Sequence, residues 1–301
     1  VSWENVALTW ALRRWVKPNS LRDQDVATSR AVTARVPFRA KLASGWRVRV
    51  ERGAPLNGEW IEPIAPDHAA RHRCILYLHG GAYIAMSART HRAITSRLAC
   101  WSGARLFALD YRLAPEHPFP AALDDALAAY RALIAAGMPP SRIVVAGDSA
   151  GGGLALALLL AARDAGDDLP AGAVLFSPWT DLAVTGDSII ANNAADALFV
   201  GSWVSAIARH YLADAEATNP LVSPVYADLT GLPPLLIQVS DTEVLLDDSR
   251  RVAEHARRAG VEATLQIWPG LPHGWQIFAP ILPEARNALR DAAAFIRARL
   301  S

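Results

Sequence analysis

Cysteine is nearly missing from this chain. Only Cys74 and Cys100 occur, too few for a disulfide framework, and they form no C-x-x-C pair. Cys74 lies in an apolar run and Cys100 near a helix end, as reduced, partly buried thiols do. No H-E-x-x-H spacing occurs, so no metal is expected. A dominant charge is lacking too. The 30 basic and 29 acidic residues leave a formal charge of +1, and the arginines are scattered, which argues against nucleic acid or another polyanion as partner. Long apolar runs are absent; the run at 154–162 is too short to span a membrane. The N-terminus lacks the order of a secretion signal, because Arg13 and Arg14 follow the apolar stretch and Glu4 interrupts its start. It reads as an amphipathic helix, with Trp3, Val6, Leu8, Trp10 and Leu12 contributing apolar surface. The expectation is a soluble, cytoplasmic protein with no membrane partner.

What is present suits a core-forming α/β protein. The chain has 301 residues, 52% hydrophobic and 20% charged, enough for one large domain or two small ones. From about Gly45 onward, β-like and helix-like runs alternate. The β-like runs are "WRVRVERG", "GEWIEPI", "CILYLHGG", "RLFALDYR", "RIVVAGDS", "AVLFSPW", "PPLLIQVS" and "ATLQIWPG". The first two alternate apolar and polar residues, as half-exposed strands do, and the later ones are almost continuously apolar, as strands covered on both faces are. Helix-like runs between them stop at Gly103, Gly137 and Gly260. Strand then helix, repeated, predicts a mostly parallel, doubly wound sheet. Residues 1–44 and about 180–217 break the alternation and are candidates for a helical cap on the catalytic edge, leaving 45–301 as the catalytic domain.

The chemistry centres on Gly147-Asp148-Ser149-Ala150-Gly151, a G-x-S-x-G sequence between a strand-like and a helix-like run. A nucleophile elbow sits at such a junction, where the turn is so tight that the serine's neighbours must be small. The N–H of Ala150, at the start of the next helix, then points where an oxyanion can form. A serine hydroxyl needs a base. Of the eight histidines, only His273 follows the last strand-like run, in the loop "PGLPHG". His68 and His72 sit in a charged loop, His255 reads as solvated on a helix, and His210 as a surface residue. The base needs a carboxylate to hold its tautomer, and Asp241 and Glu243 both follow "PPLLIQVS". Asp247 and Asp248 begin a helix and favour its positive end. A second set of oxyanion donors is offered by His79-Gly80-Gly81-Ala82, directly after a strand-like run, with His79 bracing the loop.

These pieces resemble the bacterial hormone-sensitive-lipase-like esterases, family IV of the α/β-hydrolase superfamily. The resemblance runs from about Trp46 to the end and rests on "HGGAY", "DYRLAPEHPFPAALDDA", "GDSAGG", "EVLLDD" and "PHGW". It implies an α/β-hydrolase fold: an eight-stranded, mostly parallel sheet flanked by helices, with a helical cap from the N-terminus and an insertion after the sixth strand. By position Ser149 resembles the nucleophile and His273 the base. The family's acid falls on Glu243, where glutamate replaces the commoner aspartate. Oxyanion donors would come from Gly80, Gly81 or Ala82, joined by Ala150, with Ala82 standing where the family commonly has a third glycine. Asp110, Arg112 and Glu116 of the second motif are candidates to brace that loop.

The implied activity is hydrolysis of small-molecule esters through an acyl-enzyme, with no cofactor. Short acyl chains, up to about the size of hexanoate, are favoured over long triglycerides. Tyr83, Phe199, Trp203, Tyr211 and Trp275 are candidate pocket residues. An amidase or deacetylase with the same triad is the alternative within enzymes, and a non-catalytic small-molecule receptor the alternative outside them. An exposed last strand offers a surface for a homodimer.

Overall fold

The computed structural model describes residues 1–19, 26–34, 42–65, 70 and 72–301. All eight β-like runs form strands: β1 (Trp46–Glu51), β2 (Gly58–Pro63), β3 (Cys74–Leu78), β4 (Arg105–Leu109), β5 (Ile143–Asp148), β6 (Gly172–Phe176), β7 (Leu235–Ser240) and β8 (Ala263–Trp268). They make one sheet in the order β1-β2-β4-β3-β5-β6-β7-β8. The β1–β2 and β2–β4 pairs are antiparallel and every other pair is parallel. β1 is half exposed as its alternation predicts, whereas Gly58–Ile61 of β2 are buried, because β2 lies between β1 and β4 and is no edge.

Period-two alternation divides the central strands between two cores. Leu76, Leu78, Val145, Leu175 and Ile237 face one core, with α4 (Ala121–Ala135), α5 (Ala150–Asp164) and α8 (Leu246–Arg258) packed there. Ile75, Tyr77, Val144, Val174 and Leu236 face the other, under α3 (Arg92–Ser102) and α9 (Pro283–Arg299). Both faces being covered is why these strands read as unbroken apolar runs.

The strand register brings the carboxyl ends together. Leu78 pairs with Gly147, Asp148 with Phe176, Phe176 with Gln238, and Ser240 with Trp268. The loops carrying His79–Ala82, Ser149, Ser177, Glu243 and His273 therefore leave the sheet along one edge, where ligands of open α/β sheets bind.

The remaining segments build on that edge. α1 (Trp3–Ala11) is a helix, and of the expected apolar residues Leu8 and Leu12 face inward, whereas Trp3, Val6 and Trp10 are 76%, 61% and 60% exposed. The stripe that packs is Asn5, Leu8 and Leu12. The Asn5 side-chain amide donates to the Gly270 carbonyl (2.8 Å). α2 (Val26–Ala34) supplies Arg30, which reaches the carbonyls of Ile84 and Ala114. The stretch at 180–217 carries α6 (Ser188–Ala191) and α7 (Gly201–Leu212). The N-terminal segment touches it, through Arg13 to the Ala195 carbonyl and Lys17 to those of Asn193 and Asp196. Asp247 and Asp248 lie in the first turn of α8 as expected, and they also hold this stretch. Asp248 accepts from the amides of Thr180 (2.7 Å) and Asp181 (2.8 Å), and Asp247 from that of Ser188 (2.8 Å). Among the described residues no helix is long and apolar enough to cross a membrane.

Candidate active site

Ser149 stands at the end of β5 with φ 54° and ψ −123°, a conformation that costs a non-glycine residue of the order of 1–3 kcal/mol and must be held from outside. Four backbone hydrogen bonds hold it. The Ser149 amide donates to the Phe176 carbonyl (2.8 Å), and its carbonyl accepts from Gly152 (2.9 Å), Gly153 (3.1 Å) and Trp179 (2.9 Å). The flanking glycines are steric requirements: a Cβ on Gly147 would meet the Gly151 carbonyl oxygen at 2.2 Å, and one on Gly151 the Leu78 carbonyl oxygen at 2.1 Å. The turn therefore lifts the hydroxyl to the sheet edge at the start of α5.

His273 and Glu243 converge on that edge. Nδ1 of His273 lies 2.5 Å from Oε2 of Glu243, a charge-assisted geometry. The other carboxylate oxygen accepts from the Ser177 hydroxyl (2.8 Å) and the Ser240 amide (2.7 Å), so Glu243 is buried but fully answered. Asp241, the other contender, is exposed and accepts from the Gly270 amide (2.7 Å), fixing the loop that carries His273 but not the imidazole. Burial alone would lower the basicity of His273. The charge and hydrogen bond of Glu243, then the charges of Asp196 and Asp148, outweigh it, and the imidazole titrates above its ordinary range. Burial also raises Glu243, with His273 only partly offsetting it. The Phe199 ring lies edge-on to the imidazole, with centroids 4.7 Å apart. Neither the Ser149 hydroxyl nor Nε2 of His273 has a hydrogen-bond partner among the described residues, so both stay open to a third party; contacts of this kind tighten when substrate is bound.

The opposite side of Ser149 is formed by the loop after β3. One of its expected donors is committed elsewhere: the Gly80 amide donates to Oδ1 of Asp148 (3.0 Å), so Gly80 is removed from the oxyanion set. That bond anchors the loop to the elbow. The amides of Gly81, Ala82 and Ala150 have no acceptor among the described residues. Gly81 has φ 120°, and a Cβ there would meet the Ala85 carbonyl oxygen at 2.2 Å; Ala82 takes a left-handed φ of 55° without being glycine. His79 braces the loop as expected. It bonds the Gly80 carbonyl through Nδ1 (2.7 Å) and stacks on Tyr111, and burial, then the neighbouring His91, lower it to about 3. Of the second motif, Asp110 holds the Ala88 amide (2.7 Å) and Glu116 pairs with Arg30, whereas Arg112 pairs with Asp125 of α4, away from the loop.

Sequence reasoning missed the second buried pair. Nε2 of His91 lies 3.2 Å from Oδ2 of Asp148, and Tyr77 donates to Oδ1 (2.6 Å). Asp148 is inside the "GDSAGG" signature, but nothing local to His91, Tyr77, Ser177 or Asp196 marks them. Of the expected pocket aromatics, Phe199 is at the site. Tyr83 and Tyr211 are buried and stacked on each other at 3.7 Å, and Trp203 packs half-buried on the core. Trp275 is fully buried in the core under the other face of the sheet, so its place in the pocket is withdrawn. Of the set-aside histidines, His72 is exposed, His255 is half-buried and bonded to the Val225 carbonyl rather than solvated, and His68 lies outside the described residues. No group of three or more His, Cys, Asp and Glu among the described residues is placed to hold a metal ion.

Residues 75–277 match the model of an α/β-hydrolase-fold family. The chain is 48% identical over 239 residues to an acetyl-hydrolase of Streptomyces hygroscopicus, covering 79% of each, and 40% identical over 250 residues to an esterase of Acinetobacter venetianus, covering 83% of this chain and 81% of the relative. Among solved structures it superposes on an esterase from the bacterial hormone-sensitive lipase family with a TM-score of 0.89 and 42% identity, covering 100% of this chain and 99% of the other.

Proposed function

The chain belongs to the α/β-hydrolase family, in its bacterial hormone-sensitive-lipase-like branch, and is a carboxylic ester hydrolase; from that premise we propose an acyl-enzyme mechanism in which Ser149 is the nucleophile, His273 the base and Glu243 the acid. The observation that carries it is a buried Glu243–His273 pair in loops that leave the same sheet edge as a strained serine. Ser149 attacks the ester carbonyl while Nε2 of His273 takes its proton. Glu243 holds Nδ1 and balances the imidazolium. The amides of Gly81, Ala82 and Ala150 receive the oxyanion, each well-placed donor contributing about 3 kcal/mol. His273 then protonates the leaving alcohol. Water, activated by the same base, releases the acid.

The preferred acyl group is short to medium, up to about hexanoate. Phe199 against the imidazole supports that limit, as does the acetyl-hydrolase relative. That name also keeps deacetylation by the same triad as the second reading. Residues 180–217 and the described part of 1–44 serve as the cap, residues 20–25 and 35–41 lying outside the described residues; the contacts through Arg13 and Lys17 support that reading. The unpaired thiols of Cys74 and Cys100 suit a reducing, cytoplasmic setting, and β8, an edge strand with Ile267 43% exposed, is the surface for self-pairing.

The test is an acyl-length series of p-nitrophenyl esters. Hydrolysis should peak at short chains, and Ser149→Ala should lower kcat by about 10⁴-fold or more. Absence of a Ser149 adduct with a sulfonyl fluoride, in folded wild-type protein, would overturn the mechanism.

A further inference from the structure

We infer that Asp196, in the stretch between β6 and β7, is a positioning residue for the catalytic pair, holding Phe199 against His273 with one carboxylate oxygen and the chain next to Glu243 with the other. This rests on the triad reading above. Asp196 is 1% exposed. Its Oδ1 accepts from the amides of Leu198 (2.8 Å) and Phe199 (2.9 Å), closing a turn that sets the Phe199 ring on the imidazole. Its Oδ2 accepts from the amide of Val244 (3.0 Å), one residue past the acid. A single buried carboxylate thus ties the inserted stretch to both members of the pair. Lys17 donates to the Asp196 carbonyl (2.7 Å), and its ammonium is near enough for the two charges to interact.

Three amides answer the Asp196 carboxylate, and its position bears on the groups around it. His273 is faced by three carboxylates: Glu243 from the loop after β7, Asp196 from the insertion and Asp148 from the elbow. Asp196 favours the imidazolium and opposes ionisation of Glu243. Its position also gives the inserted stretch a way to act on the base, because any displacement of residues 196–199 moves Phe199 on the ring and Val244 beside Glu243 together.

Asp196→Asn tests this. The amide keeps the size but has one accepting oxygen, so it surrenders either the Val244 bond or the pair to Leu198 and Phe199, and it removes the charge. The expected result is a fall in kcat of about tenfold with KM within about twofold, since misplacement by a fraction of an ångström acts on the transition state. The acidic limb of kcat/KM should move to lower pH, because a carboxylate that favoured the imidazolium is gone. Asp181→Asn removes another buried carboxylate of the same stretch, which caps Thr185 and pairs with Arg251 away from the triad, and should leave the limb in place. Wild-type kcat and limb in Asp196→Asn overturn the inference. If that variant does not fold, Asp196→Glu carries the test: lower kcat at an unmoved limb supports it, and wild-type kcat overturns it. Ser149→Ala, assayed in parallel, separates this failure from failure of the triad, because turnover surviving in Ser149→Ala breaks the triad whatever Asp196 does.

Discussion

Two buried carboxylate–imidazole pairs flank the same serine. On one side Glu243 holds His273, and on the other Asp148 holds His91. The resemblance goes further. In each pair the second carboxylate oxygen is taken by a hydroxyl and an amide: Ser177 and Ser240 for Glu243, Tyr77 and Gly80 for Asp148. In each, burial disfavours the imidazolium and the carboxylate restores it, so both histidines titrate above their ordinary range. What separates them is the far side of the ring. His91 places Nδ1 within 3.1 Å of both the Ser87 carbonyl and the Thr90 hydroxyl, so both of its nitrogens are spoken for. His273 leaves Nε2 open at the sheet edge. A carboxylate and an imidazole in contact are therefore not enough to make a base; the second nitrogen must be free to take a proton from something else. On the proposed mechanism the occupied pair braces and the open pair reacts.

The largest expected break comes from deleting each imidazole. His273→Gln should lower kcat by about 10⁴-fold and also cost about 1–3 kcal/mol of stability, by leaving the buried Glu243 short of its charged partner. His91→Gln should cost stability by the same argument, through Asp148, but lower kcat no more than about 100-fold, through a loosened oxyanion loop. Steady-state assays and urea unfolding on both variants decide it, and two variants with the same profile would erase the distinction.

The carboxylates come next. Glu243→Gln should lower kcat by roughly a thousandfold or more, because an amide can donate to Nδ1 and favour the wrong tautomer. Asp241→Asn, at the contender that only anchors Gly270, should stay within about fivefold of wild type. Inactive Asp241→Asn beside active Glu243→Gln would move the acid two residues upstream.

How much of this was readable beforehand follows the same division. The strands were legible because both faces of the sheet are covered, and such strands have no polar alternation to confuse with a helix. Ser149, Ala150 and the Gly-Gly turn were legible because close backbone approach restricts residue type, which leaves a mark in sequence. His273 was singled out among the histidines by its place after the last strand. The bracing pair left almost no mark. His91 starts α3, far from Asp148 in the chain, and its buried nitrogens are answered by groups that any sequence contains. Part of α1 was misread for a related reason: apolar spacing says that a helix is two-sided, whereas the side turned inward also carries Asn5, whose side-chain amide donates to the Gly270 carbonyl. Gly80 was misassigned because sequence supplies a donor without saying which acceptor already holds it.

The smallest expected effect is the sharpest, because it sets activity against stability in one molecule. The folded state raises His91 above its unfolded value, chiefly through Asp148 working against burial. A raised imidazole adds stability that is full below the unfolded histidine range and fades as pH rises through the folded value. Asp148 lies on the other limb. Burial would raise it, but His91, Tyr77 and the Gly80 amide together hold it below its ordinary value, so its contribution is present above the unfolded carboxylate range and is lost as pH falls through the folded value. The stability gap between wild type and His91→Gln should therefore widen as pH falls from well above the histidine range to just below it, and close again only when Asp148 is protonated. Over that same first descent kcat/KM should fall, since His273 must be neutral to accept the serine proton and its own raised value puts the loss above the ordinary histidine range. Urea unfolding and ester hydrolysis measured across one pH series test both trends at once. A gap that narrows on acidification through the histidine range would mean that His91 is neutral in the fold, and that the Asp148 pair is held by a hydrogen bond without charge.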